Sequence, residues 1–434
     1  MADEEFDAVV VGASLAGCTT SILLARSGAK VALVERHAQP ESHKRICTHF
    51  IQASALPVLK TLGLDRLIEE AGGVRNPIEL HTASGWVGSH LEQSADGAPD
   101  HGYNIRRLRL DPMVRALAAR TPGVTLMTGR PAAGLTQVRG RVSGVRLGGT
   151  GEARCFGARL VVAADGRNSA LAEMAGAPTK SAVNHRHAVL APLRRVDRRR
   201  GETSQMWLHG AEVAYVFPND DGVTVLAWMG PKDILEKHQG EPLDLLKAKI
   251  RALPDAPQLQ HAEVAGDVLS IKDYPNLWRP PVVRGMALVG DAMLSVDYLW
   301  GVGCGWAFQT GAWLAEAVAA DLKAGSDLTA GLARYQRRCS ALSGHRFLIN
   351  DFAKRSLLNP VERLMFAAAA KDVGLARHLN RFGARIDGPS RFLSPKAISR
   401  AIWVNMRRRI ASEEGTRTPL AAVAPRPPAG TSTP

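Results

Sequence analysis

The chain has 434 residues, which is long enough for one large two-lobed globule or for two to three domains. Its composition, 45% hydrophobic and 22% charged, is that of an ordinary globular protein. No run of eighteen apolar residues occurs, so no transmembrane segment is expected. Much of the net charge of +14 lies from residue 321 onward, where 20 Lys and Arg stand against 8 Asp and Glu. No nucleic-acid-binding motif accompanies these residues and aromatic residues are scarce, which argues against a nucleic-acid partner.

The N-terminus and the cysteines both favour a cytoplasmic protein. The first residues are acidic and lead directly into an apolar segment, without the basic region of a signal peptide. The five cysteines lie far apart in the sequence and form no C-x-x-C pair. We therefore expect neither a disulfide framework nor a metal site.

The first forty residues predict a βαβ unit that binds a dinucleotide. Residues 6–11 and 30–34 are apolar runs typical of parallel strands, and residues 15–27 predict a helix that ends before Gly28. Gly12 permits a sharp turn into the helix and Gly17 permits close packing, whereas Ser14 stands where a glycine is usual. The helix N-terminus presents free N–H groups to a pyrophosphate. The predicted contacts are Gly12, Ala13, Ser14, Leu15, Ala16 and Gly17.

Glu35 restricts the choice of dinucleotide. It follows the second strand, with Arg36 beside it, at the place where a carboxylate accepts hydrogen bonds from ribose hydroxyls. A carboxylate there repels a 2′-phosphate, which disfavours NADP and leaves FAD or NAD as the ligand of this unit.

Later segments repeat the strand-and-turn pattern. Residues 159–164 and 285–289 predict further parallel strands, each followed by a turn that contains Gly and Asp. A loop with glycines at 301, 303 and 305 then leads into a helix, and its N–H groups can lie beside a polarised ring edge. Residues 186–230 alternate in polarity and predict antiparallel strands.

Four motifs resemble, in sequence and in order, those of the FAD-dependent monooxygenases. They are GASLAG at 12–17, RLRLD at 107–111, ADG at 164–166 and GDA at 290–292. These enzymes share the p-hydroxybenzoate hydroxylase fold and are related to geranylgeranyl reductases and flavin-dependent halogenases. The resemblance covers about residues 5–325. It implies an α/β protein with a Rossmann-like FAD-binding domain, an inserted antiparallel β-rich substrate domain and C-terminal helices.

The resemblance also implies which residues contact the cofactor. Arg45 and Arg107 would contact FAD, with Asp111 capping a helix that begins at Pro112. Asp165 would lie near the pyrophosphate. The segment from Gly290 to Asp291 would contact the ribityl chain, and the segment formed by Val302, Gly303 and Cys304 would contact the flavin edge.

The predicted domain organisation alternates between two lobes. The FAD-binding domain would comprise residues 1–75, 103–180 and 281–325, and the substrate domain residues 76–102 and 181–280. A C-terminal helical region would cover residues 326–411, with a helix at 328–345 and helical structure over much of 360–382 and 395–410. Residues 412–434 are rich in Pro and Thr and predict a disordered tail.

The resemblance implies a monooxygenase that acts on a small, natural-product-like molecule. NADPH or NADH would reduce the FAD, and O2 would then form a flavin C4a-hydroperoxide. The flavin carries this chemistry, so no acid–base pair is required. Candidate residues near the substrate are His49, Gln52, Asp297, Tyr298, Trp300 and Trp306.

Departures from the hydroxylase pattern keep two alternatives open. Leu294 and Tyr298 replace the His and Pro of the usual loop, and KRICTHF at 44–50 resembles the Lys-x-Cys-Gly segment of prenyl reductases. One alternative is therefore a flavin-dependent reductase or dehydrogenase of an unsaturated chain. The other is a halogenase-like enzyme acting on a substrate tethered to an acidic carrier protein, which the basic C-terminal region would attract.

Overall fold

A computed structural model describes residues 3–89, 96–149 and 154–415, with side chains up to residue 407. It confirms the predicted α/β class: a largely parallel sheet packs beside a largely antiparallel sheet, and helices follow at the C-terminus. No helix in these ranges is long and apolar enough to cross a membrane.

Along the chain, strands of the largely parallel sheet alternate with strands of the largely antiparallel sheet. They are β1 (Glu4–Val11), β2 (Val31–Val34), β3 (Phe50–Ile51), β4 (Val74–Arg75), β5 (Ile78–Thr82), β6 (Gly85–Val87), β7 (Tyr103–Asn104), β8 (Val124–Met127), β9 (Ala132–Val138), β10 (Arg141–Leu147), β11 (Arg154–Ala163), β12 (Lys180–Ala182), β13 (Arg186–Arg194), β14 (Ser204–His209), β15 (Glu212–Pro218), β16 (Thr224–Pro231), β17 (Glu263–Val264), β18 (Leu269–Ile271), β19 (Asn276–Trp278), β20 (Val282–Val283), β21 (Met286–Leu288) and β22 (Leu294–Ser295).

The helices cover the parallel sheet and dominate the last quarter of the described chain. They are α1 (Leu15–Arg26), α2 (Leu56–Leu62), α3 (Leu64–Glu70), α4 (Arg107–Arg120), α5 (Ala170–Met174), α6 (Lys232–Glu236), α7 (Pro242–Arg251), α8 (Val302–Lys323), α9 (Thr329–Cys339), α10 (Ser343–Arg355), α11 (Pro360–Ala369), α12 (Val373–Gly383), α13 (Pro389–Phe392) and α14 (Pro395–Gly415).

The first sheet is built from segments that are distant in sequence. Its central order is β21-β11-β1-β2-β8, and these strands pair in parallel. The continuous apolar runs of β1, β2 and β11 are explained by burial on both faces of the sheet. The ends of β1 and β21 bring the Gly12 turn and the Gly290 turn into contact: a Cβ on Gly290 would lie 2.9 Å from Cβ of Ala16.

The second sheet has the order β17-β13-β16-β15-β14-β5-β6 and carries apolar side chains on both faces. One face, which includes Trp207 and Trp228, packs against α7. The other face, which includes Tyr215 and Met229, packs against the C-terminal helices. Strand β5 pairs with β14, so part of segment 76–102 lies in this sheet. The exact domain boundaries stay predictions.

Three predicted element boundaries were wrong. Helix α4 begins at Arg107 rather than at Pro112, so Asp111 lies inside the helix and does not cap it. The predicted helix 328–345 is divided into α9 and α10 by a turn at Ser340–Leu342. Helix α14 reaches Gly415, into the tail that was predicted to be disordered; the rest of that tail lies outside the described residues.

Candidate functional site

The turn between β1 and α1 is shaped by two glycines. Gly12 has a φ of 108°, and a Cβ at this position would lie 2.3 Å from the carbonyl oxygen of Ala164. A Cβ on Gly17 would lie 1.9 Å from the carbonyl oxygen of Gly12. Ser14 is the N-cap residue of α1, but its side chain makes no capping hydrogen bond. The first N–H groups of this buried helix therefore remain available to a ligand.

The glycine-rich segment near residue 300 forms a second helix N-terminus rather than a loop. Gly301 is the N-cap residue, in a left-handed conformation, and the 22-residue helix α8 begins at Val302. The N–H groups of Val302, Gly303 and Cys304 have no partner within the helix. A Cβ on Gly303 would meet no atom within 4 Å, so packing does not require glycine here. This open space at the first turn of α8 leaves room for a flat ligand edge beside the helix.

Arg107 connects the two helix N-termini. Its Nη2 donates to Oγ of Ser14 at 2.7 Å, and its Nη1 lies 3.8 Å from Sγ of Cys304. The guanidinium is buried and also donates to Asp111 one helical turn later. One fixed cation therefore lies between the predicted pyrophosphate turn and the predicted flavin contact.

Lys44 and Asp291 bring a second pair of charges to the same cleft. The Lys44 ammonium forms a short ion pair with the Asp291 carboxylate, and the Lys44 backbone N–H donates to Asp111 at 2.9 Å. By contrast Arg45, which the resemblance placed at the cofactor, is 65% exposed and pairs with Asp267. Lys44 therefore faces the cleft and Arg45 faces solvent, and the contact of Arg45 with FAD stays a prediction.

Glu35 and Asp165 are both engaged by neighbouring groups. Glu35 is buried at the end of β2, and its carboxylate accepts from the N–H groups of Ala13 at 2.8 Å and His37 at 3.0 Å. The Asp165 carboxylate accepts from Ser169 and Leu171, and burial raises its pKa. Asp165 therefore orders its own loop, and the backbone of this loop contacts the Gly12 turn. Arg36 is exposed beside Glu35.

Two thiols and His49 line the cleft beside Arg107. The Sγ atoms of Cys47 and Cys304 lie 3.6 Å apart. A hydrogen bond from Cys304 and the nearby charges of Arg107 and Lys44 hold the pKa of Cys47 well below its ordinary value. His49 has a φ of 59°, and its Nδ1 accepts from the Arg107 N–H at 3.0 Å. His49 thus accepts a hydrogen bond from the first N–H of α4, and this hydrogen bond holds its ring next to the cleft.

Asp297, Tyr298 and Trp300 surround the start of α8 on the side of the second sheet. The buried Asp297 carboxylate accepts from Leu299 N–H and Asn184 Nδ2, each at 2.7 Å. Tyr298 packs against Tyr274, and burial raises the pKa of its hydroxyl. The Trp300 carbonyl accepts from the side-chain amide of Gln52 through a short hydrogen bond, which fixes the residue directly before Gly301.

A small pocket of about 10 Å³, with room for at most one water molecule, lies between Trp300 and the C-terminal helices. It is lined by aromatic side chains and by three polar ones: Trp300, Phe352, Phe366, Phe382, His345, Glu362 and Arg385. Trp306 is buried in the first turns of α8 and belongs to the core of the first lobe. Among the predicted substrate contacts, Trp300 therefore lies in the pocket wall, whereas Trp306 does not line it.

Arg115 is a residue of the cleft that the sequence patterns did not reveal. Arg115 is buried and donates to the carbonyl oxygens of Ala13, Pro40 and Ser42, which fixes the segment after β2 against the phosphate turn. The available signal was the spacing Arg107, Asp111, Arg115, which places all three on one helix face. That signal was lost because the helix was predicted to start too late.

These features define the class of protein. Two helix N-termini lie within reach of one buried arginine, and an acidic residue closes the end of β2, as a dinucleotide cofactor with a pyrophosphate and a reactive ring requires. The molecule is a flavin-dependent oxidoreductase. It belongs to the FAD binding domain family, whose match extends over residues 5–345.

Individual relatives are distant. The chain is 26% identical over 321 residues to the probable electron transfer flavoprotein-quinone oxidoreductase YdiS of Escherichia coli (strain K12), covering 67% of this chain and 71% of that protein. It is 24% identical over 364 residues to the digeranylgeranylglycerophospholipid reductase of Thermoplasma acidophilum, covering 82% and 88%. The flavin-dependent brominase Bmp2 aligns with a TM-score of 0.74 and 19% identity over 95% of this chain and 100% of that one, which shows the shared fold.

Proposed function

We propose that this protein is an FAD-dependent monooxygenase that consumes NAD(P)H and O2 and oxidises a small aromatic or conjugated organic molecule. The observation that carries this proposal is the pair of helix N-termini joined by the buried Arg107, with the aromatic side chains of Tyr298 and Trp300 directly before α8. Aromatic side chains beside the predicted flavin edge suit a flat aromatic or conjugated substrate.

The residues of the chain would bind and orient the reactants and exclude water. Arg107 and the α1 N-terminus would hold the pyrophosphate, and the N–H groups of Val302, Gly303 and Cys304 would stabilise negative charge on the reduced ring. Bound flavin, reduced by two electrons from NAD(P)H, supplies the transfer of one oxygen atom to the substrate while the other leaves as water. Trp300 and Phe366 would keep solvent from the reacting atoms.

Isotopically labelled dioxygen tests this proposal. The FAD-loaded protein is supplied with NADH or NADPH and with phenol, indole or coumaric acid as aromatic probes. We expect at least one probe to accelerate NAD(P)H oxidation and to acquire a labelled oxygen atom. Accelerated oxidation that yields only hydrogen peroxide, with no labelled product from any probe, would contradict the proposal.

A flavin-dependent reductase of an unsaturated chain is the second candidate. Cys47 lies beside the predicted flavin edge in the segment that resembles the prenyl reductases. Its neighbour Cys304, whose pKa is raised by the hydrogen bond to Cys47 and by burial, keeps its proton, and a thiol there can deliver a proton to a substrate carbon. The same assay separates the two functions. Anaerobic saturation of geranylgeraniol by the FAD-loaded protein, without labelled aromatic product in air, would favour the reductase.

A further inference from the structure

Cys47 and Cys304 are the one pair of thiols that meet within the described part of the chain. Their Sγ atoms lie 3.6 Å apart, although 257 positions separate the two residues in the sequence. All five cysteines are free thiols, and among the described residues none of the other three sulfur atoms contacts a second sulfur. Two adjacent thiols can join by oxidation, so this pair differs chemically from the remaining cysteines.

The pair is positioned to close into a disulfide. Cys304 is buried in the first turn of α8, which fixes its position. Cys47 is half-buried in the connection between β2 and β3, where the backbone is neither helix nor strand. A disulfide requires an S–S distance of about 2.05 Å, so the sulfur atoms must approach by about 1.5 Å. Rotation of the Cys47 side chain and a small shift of its irregular segment suffice for that approach.

The surroundings of the pair favour one ionised sulfur. Arg107 Nη1 lies 3.8 Å from Sγ of Cys304, and the backbone N–H of His49 donates to Sγ of Cys47 at 3.2 Å. The hydrogen bond from Cys304 and the charge of Arg107 lower the pKa of Cys47. The same hydrogen bond and burial raise the pKa of Cys304. The pair therefore holds one proton, on Cys304, and Cys47 is the reactive thiolate.

The other three cysteines have no such environment. Burial raises the pKa of Cys18, and it raises the pKa of Cys339 to about 12, so both thiols keep their protons. Cys155 is half-buried on β11 and has no neighbouring thiol among the described residues. These three residues therefore serve as internal controls for the pair.

The pair also lies at the candidate flavin site. Cys304 is one of the three residues whose N–H groups are expected to meet the flavin edge. Arg107, which contacts Cys304, donates to Ser14 in the predicted pyrophosphate turn. A flavin held by these groups would have the two sulfur atoms beside its ring.

We propose that Cys47 and Cys304 form a reversible disulfide that exchanges two electrons with the bound flavin. Closing the pair forms one S–S bond, breaks the S–H bond of Cys304 and releases two electrons and one proton, which oxidised flavin accepts. Reopening it takes two electrons and one proton from flavin reduced by NAD(P)H, and restores the Cys47 thiolate and the Cys304 thiol. This redox centre goes beyond the proposed oxygen transfer, since it requires bound flavin but no organic substrate.

The first test counts thiols in the FAD-loaded protein after oxidation with diamide and unfolding without reductant. The wild type is expected to show three of its five thiols, and proteolysis with mass spectrometry to yield a peptide in which Cys47 and Cys304 are cross-linked. Cys47→Ser and Cys304→Ser are each expected to keep all four remaining thiols. The matched control Cys155→Ser is expected to show two thiols, because the pair still closes.

The second test measures how many electrons the oxidised, FAD-loaded protein accepts in an anaerobic dithionite titration. The wild type and Cys155→Ser are expected to consume about two equivalents per flavin, one for the flavin and one for the disulfide. Cys47→Ser and Cys304→Ser are expected to consume about one equivalent, because only the flavin is reduced.

Two results would overturn the proposal: five thiols in the wild type after diamide, or a wild-type disulfide that stays intact when the flavin is fully reduced. Both measurements are made without O2 turnover or an aromatic probe. Failure of oxygen transfer in the labelled-dioxygen assay would therefore refute the proposed function while leaving the redox-active cysteine pair to stand or fall on its own tests.

Discussion

Arg107→Met is expected to lose about 2–3 kcal/mol of FAD binding free energy, which raises the Kd for FAD about 30- to 150-fold. The guanidinium lies 2.7 Å from Oγ of Ser14 and 3.8 Å from Sγ of Cys304, so it is positioned between the pyrophosphate turn and the flavin contact. Methionine retains the apolar volume but removes the donors and the charge. FAD titration followed by flavin fluorescence, with the apoprotein as the starting state, measures the effect.

The control for this variant is its sequence neighbour. Arg106 is also buried and pairs with the buried Asp220 at 2.7 Å, away from the two helix N-termini. Arg106→Met and Arg107→Met each leave a buried aspartate without its partner, so each is expected to lower the free energy of unfolding by about 3–5 kcal/mol. Only Arg107→Met should change the FAD affinity. An equal loss of affinity in both variants would show that the effect is destabilisation and that Arg107 does not contact FAD.

Gly303→Val is expected to weaken FAD binding at least about 10-fold without lowering the melting temperature of the apoprotein. A Cβ here would meet no protein atom within 4 Å, and glycine is a poorer helix former than valine, so the free protein loses nothing. The added methyl groups would instead occupy the space in which the flavin edge approaches the N–H groups of α8. The measurement is the same FAD titration, together with thermal unfolding of the apoprotein.

Gly383→Val is the matched control for this substitution. Gly383 is the last residue of α12, and a Cβ there likewise meets no atom within 4 Å. We expect Gly383→Val to bind FAD normally. Unchanged FAD affinity in Gly303→Val would mean that the flavin does not approach the first turn of α8, contrary to the proposed site.

The parts of the fold that follow from local sequence were predicted well. The turn at Gly12 and the buried strands around it depend on backbone conformation and continuous apolar patterns, which the sequence displays directly. Gly301, Gly303 and Gly305 were predicted to lie in a loop before a helix, whereas Gly301 is the N-cap of α8 and the other two lie inside it. The local pattern therefore placed the start of the helix too late, and contact of this segment with flavin stays a prediction.

The remaining site residues depend on contacts between distant segments. Lys44 meets Asp291 across 247 positions, and no local pattern distinguishes it from the adjacent Arg45, which faces solvent. The Sγ atoms of Cys47 and Cys304 come within 3.6 Å of each other across 257 positions. Such a property depends on the packed structure and is not visible in residue type or spacing.

A crystal structure of the FAD-loaded protein tests the central claim most directly. We expect pyrophosphate oxygens within about 3 Å of the first N–H groups of α1. We also expect the Arg107 guanidinium beside them and the flavin edge at the N–H groups of Val302, Gly303 and Cys304. A flavin ring that lies away from the first turn of α8, or a pyrophosphate that does not meet the α1 N-terminus, would contradict it.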